Sequence, residues 1–527
     1  MKIGDLPRGA ARTSPDEIAV IHEKTRVSFS EFYQNTKILA QNFLKLGIQP
    51  GDRVAVLTYN CPEILYSFYA VPLAGAITTP FNYAMSPREI QYCVNDCTPR
   101  VLIYQPAFEA IIQQLKQNGS SIKHYISTAE FQALLKEPPS TGQTAPHFSK
   151  DATCFIIWTG GTTGFPKGVM ISHYNMISMI AMAGEMLVKG TDKFKESFGS
   201  EELTSKMLTA LPLFHGAGLF LALCSMFGGI TFITQEQFDI IPTLKTIEKE
   251  CATFLALVPT MLKRIIESPD LIKYDLRSLR TILYGAAPIT PTTLGKALDT
   301  FPNVDFCQVF GQTESSPVLC IMGAIDHAKA RTNRHLLAAC GRALNGIEIK
   351  IVDPISGKEM PCGEVGEIIA RGDNIMQGYW GKPEKTAEAL RGGWLHTEDL
   401  GKIDEEGYIY ITGRGKDMIV SGGENIYPIE VEDALQSHPA VLEAGVIGIP
   451  DDKWGEVVHA IVVLNKGYEP GKNVSEVDLI AHVKKQIASY KAPKSVAFTR
   501  SLPRSPQGKI LKRVLREPYW KDKERQV

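Results

Sequence analysis

Apolar and polar positions follow helical and strand periods in turn through the first part of the chain. Residues 29–46 have helical spacing with a serine available as the N-cap, and residues 53–57 follow as a buried strand. The order repeats with a helix near residues 62–74 and a strand at residues 76–79. Such alternation predicts a parallel α/β sheet.

Further apolar runs, each ending in a turn, predict more buried strands. These runs are residues 207–211, 253–257, 281–285 and 304–310. In open α/β sheets, ligands bind beyond the carboxyl ends of the strands. We therefore expect the loops after these strands to line one cleft.

The pattern changes after Gly341 to shorter segments with strand alternation. A charged, glycine-containing stretch at residues 413–417 separates them from about 110 residues with their own β and α pattern, a size that suits a small domain. The sequence therefore predicts an α/β fold with a large N-terminal domain at residues 1–413 and a smaller C-terminal domain at residues 414–527. Residues 136–149 are rich in Pro, Ser, Thr and Gly and predict a surface linker.

Length and composition limit the class of protein. A chain of 527 residues is too long for one core. With 56 basic and 57 acidic residues, no overall charge favours nucleic acid. The 10 scattered cysteines predict reduced, buried thiols and a cytoplasmic location. The most apolar stretch, residues 218–233, is broken by two glycines and is shorter than the about 20 residues that a bilayer span needs, so no transmembrane segment is expected. A peripheral membrane role stays open.

The candidate chemistry begins at residues 158–168, which follow a predicted buried strand. Glycines there allow backbone amides to approach phosphate oxygens, and a lysine adds a point charge. The spacing is not that of a Walker A loop, because Pro166 precedes the lysine and no helix follows directly. The candidate phosphate-binding residues are Thr159, Gly160, Gly161, Thr162, Thr163, Gly164 and Lys167.

Five segments in order resemble the adenylate-forming superfamily of acyl-CoA synthetases, luciferases and adenylation domains. They are residues 158–168, 310–314, 397–399, 413–417 with 421–425, and 503–512. The set extends over most of the chain. The resemblance implies a β-rich subdomain in the large domain and a small, mobile α+β C-terminal domain.

The same resemblance implies an AMP-forming ligase that uses ATP, Mg²⁺ and coenzyme A. A small-molecule carboxylic acid attacks the α-phosphate of ATP to give an acyl-adenylate, and a thiol then displaces AMP. The acid is itself the nucleophile, so the protein must position reactants and neutralise charge. The absence of an evident Ser-His-Asp triad agrees with this demand.

Site residues of the large domain follow from the matching motifs. Residues 159–167 would contact the β- and γ-phosphates, Thr313 the α-phosphate, and Glu314 the metal ion. The residues implied around adenine are Phe310, Gly311, Gly285, Ala286 and Ala287. Asp399 would accept the ribose hydroxyls, although this chain has Glu398 where the family usually has glycine; we expect Glu398 to point to solvent.

The resemblance assigns the remaining residues to two arrangements of the C-terminal domain. Arg414 would approach the ribose or phosphates, and Lys416 would occupy the hinge. In the first arrangement Lys509 bridges the carboxylate and the α-phosphate. In the second, the residues that line a pantetheine tunnel are Ser421, Gly422 and Gly423. One site would thus serve two reactions in sequence.

The segment around His215 bears on the class of acid substrate, because it resembles the entrance of the family's acyl pocket. Amino-acid-activating relatives have an aspartate near this position. Here Phe214 and His215 would leave a substrate ammonium group unpaired, which favours an acid with an uncharged acyl group. We expect residues 216–218 to leave space for an alkyl chain. Gly160 replaces the usual serine, a spelling associated with medium- and long-chain fatty acyl-CoA synthetases. An aromatic acid–CoA ligase, an adenylation enzyme that loads a carrier protein, and a non-catalytic binding protein are the alternatives.

Overall fold

The computed structural model describes residues 1–137, 148–159, 165–187, 206–422, 424–505 and 508–521, and the side chains of residues 184–187 are not described. Most of the predicted linker at 136–149 therefore lies outside the described residues, as do Gly160, Gly161, Thr162, Thr163, Gly164 and Gly423. Within the described residues, no helix has the length and apolar character needed to cross a membrane.

Helices occur throughout the described chain, and many begin with an N-capping serine, threonine or aspartate. They are α1 Leu6–Thr13, α2 Phe29–Lys45, α3 Pro62–Leu73, α4 Pro87–Cys97, α5 Glu109–Gln117, α6 Thr128–Leu134, α7 His173–Leu187, α8 Gly216–Gly228, α9 Ile240–Glu250, α10 Pro259–Ile266, α11 Pro291–Thr300, α12 Ala324–Thr332, α13 Pro383–Ala389, α14 Pro428–Gln436, α15 Glu476–Gln486 and α16 Lys512–Trp520.

Strands alternate with these helices. They are β1 Ile18–His22, β2 Thr25–Ser28, β3 Arg53–Leu57, β4 Ile77–Pro80, β5 Val101–Tyr104, β6 His124–Ser127, β7 Thr153–Thr159, β8 Lys167–Ser172, β9 Lys206–Thr209, β10 Thr231–Thr234, β11 Phe254–Leu257, β12 Thr281–Gly285, β13 Asp305–Phe310, β14 Cys320–Met322, β15 Arg342–Ala343, β16 Ile347–Val352, β17 Gly366–Gly372, β18 Gly378–Tyr379, β19 Leu395–Ile403, β20 Ile409–Arg414, β21 Ile419–Ser421, β22 Glu424–Ile426, β23 Val441–Asp451, β24 Gly455–Leu464 and β25 Ser495–Thr499.

Two large sheets form the N-terminal part. A seven-stranded sheet has the order β18-β8-β7-β4-β3-β5-β6, with parallel pairing from β7 to β6. A nine-stranded sheet has the order β15-β14-β13-β12-β11-β9-β10-β1-β2, with parallel pairing from β13 to β1. The predicted parallel α/β architecture is confirmed. The strands that precede the candidate phosphate-loop, adenine and metal residues lie in these two sheets.

Two smaller sheets follow. The β-rich segment after residue 341 forms a four-stranded antiparallel sheet of order β16-β17-β19-β20. Strands β21 to β25 form a five-stranded sheet covered by α14 and α15. Apolar residues of this last sheet and its helices make a core of their own, which includes Ile419, Val446 and Leu479.

Several local predictions can be compared directly with the structure. The helix predicted at 29–46 is α2, and Ser28 caps it by accepting the Glu31 amide hydrogen. The apolar stretch 218–233 is a buried helix, a glycine turn and a strand. All ten cysteines are free thiols and eight are buried, which agrees with the expectation for the thiols.

Candidate active site

The strands on either side of the predicted phosphate loop, β7 and β8, are paired with each other. Their antiparallel pairing places Thr159 opposite Lys167. The Thr159 hydroxyl donates to the Lys167 carbonyl oxygen at 3.4 Å. Phe165, the first described residue after Thr159, stacks on Tyr92 with ring centroids 4.4 Å apart. Both ends of the loop are therefore anchored, and Lys167 is held as the first residue of a strand.

The side chain of Tyr379 contacts both Lys167 and Glu314. The Lys167 Nζ is 4.4 Å from the centroid of the Tyr379 ring. The hydroxyl of Tyr379 donates to Oε1 of Glu314 at 2.9 Å. Sequence reasoning missed Tyr379, because a tyrosine after a glycine in a short strand has no motif that distinguishes it from a core aromatic.

Glu314 is 8% exposed and occupies a short 3₁₀ turn, Thr313–Ser315, after β13. Burial raises the pKa of the Glu314 carboxyl group, and hydrogen bonds together with the charges of Lys167 and Arg414 oppose the rise. Among the described residues, no group of three or more His, Cys, Asp or Glu could hold a metal ion. A single buried carboxylate fits Mg²⁺ when phosphate oxygens and water complete the coordination.

Close backbone approach explains the glycines of the predicted adenine site. A Cβ on Gly285 would lie 2.5 Å from the Val309 carbonyl oxygen, and a Cβ on Gly311 would lie 2.2 Å from that of Pro317. Ala286 has a φ of +63°, and Phe310 is partly exposed at the end of β13. These residues lie at the carboxyl ends of adjacent parallel strands, as expected for a ligand cleft.

The predicted ribose carboxylate is paired with the predicted arginine. Asp399 on β19 lies opposite Arg414 on β20, and the Arg414 Nε donates to its Oδ1 at 3.0 Å. The Asp399 amide donates to the hydroxyl oxygen of Thr397, which in turn donates to the Ile368 carbonyl oxygen. Asp399 is buried, so both its backbone and its side chain are fixed.

Glu398 is exposed, as expected, and its side chain also forms an ion pair. Its φ is +60°, a left-handed conformation that favours glycine, so the turn keeps its shape although the residue is not glycine. Its amide donates to Oε1 of the buried Glu367 at 3.2 Å. The half-exposed side chain forms an ion pair with Lys416, with Oε2 and Nζ 2.7 Å apart.

Lys509 is within electrostatic reach of Asp399 and Arg414, although it is more than ninety residues away from either in sequence. Burial and the charge of Arg414 lower the pKa of the Lys509 ammonium group to about 8, and Asp399 and Asp417 oppose this. A Cβ on the preceding Gly508 would lie 2.4 Å from the Thr260 hydroxyl oxygen. The backbone next to Lys509 therefore packs closely on the start of α10.

His215 caps α8, and its Nδ1 accepts the Ala217 amide hydrogen at 3.3 Å. Burial and the charge of Lys509 lower the pKa of the imidazole to about 4, so the ring is neutral and carries its hydrogen on Nε2. The expected space at residues 216–218 is only partly present. A Cβ on Gly218 would lie 2.4 Å from the Pro212 carbonyl oxygen, so this glycine permits backbone packing and leaves no room for substrate.

Gly216 lies on the other side of the same turn. A Cβ there would be 3.7 Å from the Thr313 hydroxyl oxygen, at ordinary contact distance. The start of α8 is therefore adjacent to the turn that carries Glu314.

The predicted tunnel residues Ser421 and Gly422 lie in the C-terminal sheet. Ser421 ends β21, and the amide of Gly422 donates to the Trp454 carbonyl oxygen at 2.8 Å. The tunnel role of these two residues stays a prediction.

Two family models match the chain. The model described as AMP-binding enzyme matches residues 7–380, and the AMP-binding enzyme C-terminal domain matches residues 430–509. A feruloyl-CoA synthase of Amycolatopsis is 36% identical over 98% of this chain and 99% of its own length. A long-chain-fatty-acid–CoA ligase of Mycobacterium tuberculosis is 33% identical over 98% of both chains. The structure of ATP-bound MatB from Rhodopseudomonas palustris superposes with a TM-score of 0.86 at 30% identity, covering 99% of each chain.

Proposed function

The chain belongs to the AMP-binding enzyme family as an acid–CoA ligase that uses ATP, Mg²⁺ and coenzyme A, and we propose that its acid is a medium- or long-chain fatty acid. The proposed reaction has two steps. The acid and ATP give acyl-AMP and pyrophosphate, and coenzyme A then displaces AMP to give acyl-CoA. The proposal extends to the roles of individual residues and to a cytoplasmic location.

The observation that supports the first step above all others is the packing of Gly508 against Thr260, with the next residue, Lys509, within electrostatic reach of Asp399 and Arg414. In our proposal Asp399 holds the ribose and thereby sets the distance to the α-phosphate. Lys509 then supplies the cation where negative charge gathers as the carboxylate attacks. Such a charge acts strongly because it is already partly desolvated before the reaction.

The remaining groups act on the phosphates. Lys167 and the loop that precedes it hold the β- and γ-phosphates, which leave as pyrophosphate, and Thr313 contacts the α-phosphate. Glu314 would hold Mg²⁺, which when bound neutralises charge on the phosphate oxygens. The carboxylate of the acid is the nucleophile, so the chain needs no nucleophilic side chain of its own.

The second step is proposed to use another arrangement of the C-terminal domain. We place the domain boundary between residues 413 and 414, supported by the separate apolar core that begins at Ile419. Lys416 would then be the hinge residue. After rotation, Ser421, Gly422 and Gly423 would line the path of the pantetheine arm, where small residues admit a narrow chain.

An acid whose acyl group is uncharged is supported by the neutral state of His215 at the start of α8. A fatty acid is supported by glycine at position 160, where the family usually has serine, and by the 33% identical fatty-acid ligase. An aromatic acid is the second candidate, and the 36% identical feruloyl-CoA synthase favours it. Transfer to a carrier protein differs only in what bears the pantetheine.

A substrate panel tests the proposal. Pyrophosphate release is measured with aliphatic acids of increasing length and with benzoate, coumarate and ferulate, each with and without coenzyme A. We expect kcat/KM to peak at a medium or long aliphatic acid, with turnover that depends on coenzyme A. A maximum at a hydroxycinnamate would replace the fatty-acid assignment with the aromatic one. Turnover that requires a carrier protein and does not depend on coenzyme A would contradict the proposal that coenzyme A is the acyl acceptor.

A further inference from the structure

Tyr379 makes two different contacts with groups of the proposed active site. Its side chain is 7% exposed and lies at the end of β18. The hydroxyl donates to Oε1 of Glu314 at 2.9 Å, and the ring face receives the Lys167 ammonium group at 4.4 Å from its centroid. One side chain thus contacts the phosphate-loop cation and the candidate metal carboxylate.

Backbone hydrogen bonds hold the segment around Tyr379 to both partners. The Trp380 amide donates to the carbonyl oxygen of Gly168, directly after Lys167, at 2.8 Å. The Met376 amide donates to the backbone carbonyl oxygen of Glu314 at 2.9 Å. Residues 376–380 therefore form a short bridge between the strand that follows the phosphate loop and the turn that carries Glu314. Tyr379 cannot shift without disturbing one of them.

We propose that Tyr379 is a positioning residue that sets the relative placement of Lys167 and Glu314. The inference rests on the proposed function, in which these two residues serve the phosphates and Mg²⁺. The hydroxyl restrains the rotamer of Glu314 by donating to Oε1, and Glu314 in this rotamer would be the carboxylate that holds Mg²⁺. The ring holds the ammonium group of Lys167 through its π face.

The two contacts predict separable effects. Tyr379→Phe keeps the ring and removes the hydroxyl group, so it disturbs only Glu314. Loss of an outer partner of a metal ligand typically lowers metal affinity about 10- to 100-fold. We therefore expect the Mg²⁺ concentration for half-maximal pyrophosphate release to rise about 10-fold, while ATP affinity measured calorimetrically in EDTA stays within about 2-fold of the wild type.

The chain contains a matched control for Tyr379→Phe. Tyr408 is also buried, donates its hydroxyl to Oδ1 of Asp326 at 2.6 Å and has Arg342 over its ring at 4.0 Å. Tyr408→Phe removes the same kind of hydrogen bond at a place to which no substrate role is assigned. We expect it to leave the Mg²⁺ requirement unchanged, even if it lowers the thermal midpoint as much as Tyr379→Phe does.

The ring contact is tested by a double-mutant cycle on ATP affinity in EDTA. Tyr379→Leu should weaken binding in a chain that contains Lys167, and it should have little further effect in Lys167→Met, because the leucine variant acts through that ammonium group. If the two substitutions had additive effects on ATP affinity, the proposed role of the contact between the Tyr379 ring and Lys167 would be wrong. This cycle also remains decisive if Tyr379→Phe folds poorly.

Failure of the inference and failure of the proposed site give different results. If Glu314→Gln raises the Mg²⁺ requirement and Tyr379→Phe does not, the positioning role is wrong while the metal site stands. If Glu314→Gln has no effect on the Mg²⁺ requirement, the proposed metal site itself is wrong. An equal shift in Tyr379→Phe and Tyr408→Phe would also overturn the inference.

Discussion

Lys416 and Glu398 form an ion pair directly beyond the Asp399–Arg414 pair, with Nζ and Oε2 2.7 Å apart. The pairing of β19 with β20 ends at Asp399 and Arg414, and the ion pair lies just beyond this last pair of the ladder. On its other side the turn at Gly415–Asp417 is held by Arg516, which donates to the Lys416 carbonyl oxygen at 3.0 Å and pairs with Asp417. The departure from glycine at position 398 therefore brings a charge that contacts Lys416, the proposed hinge residue.

Because residue 398 has a left-handed backbone, we expect glycine to stabilise the protein more than alanine at this position, the reverse of the usual order. Glu398→Ala and Glu398→Gly both remove the ion pair, but only alanine keeps a Cβ at a φ of +60°. We expect the glycine variant to be more stable by about 1 kcal/mol, because a left-handed conformation costs an L residue about 1–2 kcal/mol and the greater freedom of unfolded glycine offsets part of this. Urea unfolding of both variants measures the difference. Greater stability of the alanine variant would contradict the turn geometry.

The ion pair itself is about half exposed, so its loss in Glu398→Gln should cost no more than about 1 kcal/mol. This variant keeps the strained backbone and serves as the control for the charge. The effect of Glu398→Gln should shrink as salt is added, because exposed pairs are screened.

Adenylate formation should lose activity as the pH rises through about 8. The pKa of Lys509 is lowered to about 8, so its ammonium group is charged below that pH and neutral above it. A step that needs this cation is therefore favoured at lower pH and lost at higher pH. ATP–pyrophosphate exchange, which requires no coenzyme A, should show a falling limb of kcat/KM near pH 8.

Lys509→Arg provides the control for this pH dependence, since a guanidinium group stays charged throughout the range. Whatever its residual activity, the falling limb should disappear or move above pH 9.5. The same limb in Lys509→Arg and in the wild type would assign the titration to another group.

Glu314→Gln should increase the Mg²⁺ requirement at least about 10-fold, because a hard cation prefers a charged oxygen to an amide oxygen. The substitution is isosteric, and the buried amide can still accept the Tyr379 hydrogen bond. Pyrophosphate release is measured as a function of Mg²⁺ at fixed ATP. Glu359→Gln, which removes an exposed carboxylate paired with Lys350, is the control and should match the wild type. A normal response to limiting Mg²⁺ in Glu314→Gln would exclude it as a ligand.

Sequence patterns could predict the parts of the fold that depend on local periodicity. Strand β3 and helix α2 follow from alternation and from the Ser28 cap, and the turn at 228–229 follows from its glycines. The pattern could not predict how the strands are ordered into two large sheets, because neighbours such as β1 and β10 pair across more than two hundred residues. That order depends on long-range packing.

The candidate site was predictable only where a motif fixed the register. Asp399, Glu314 and Lys509 came from matching segments, whereas Tyr379 and Glu367 act through contacts that no spacing reveals. Gly218 shows the opposite error. A small residue suggested space for substrate, but the Pro212 carbonyl oxygen already fills it. Whether a glycine makes room or permits close packing depends on the opposing element, which the sequence does not specify.

The central claim is that Lys509 serves the first half-reaction and not the second, and Lys509→Ala tests it most directly. One assay measures acyl-AMP formation from acid and ATP, and the other measures acyl-CoA formation from supplied acyl-AMP and coenzyme A. The account predicts a loss of at least about 100-fold in the first assay, as expected for removal of a preorganised charge, and a change of less than about 3-fold in the second. Equal losses in both assays, or an unchanged rate of acyl-AMP formation, would contradict it.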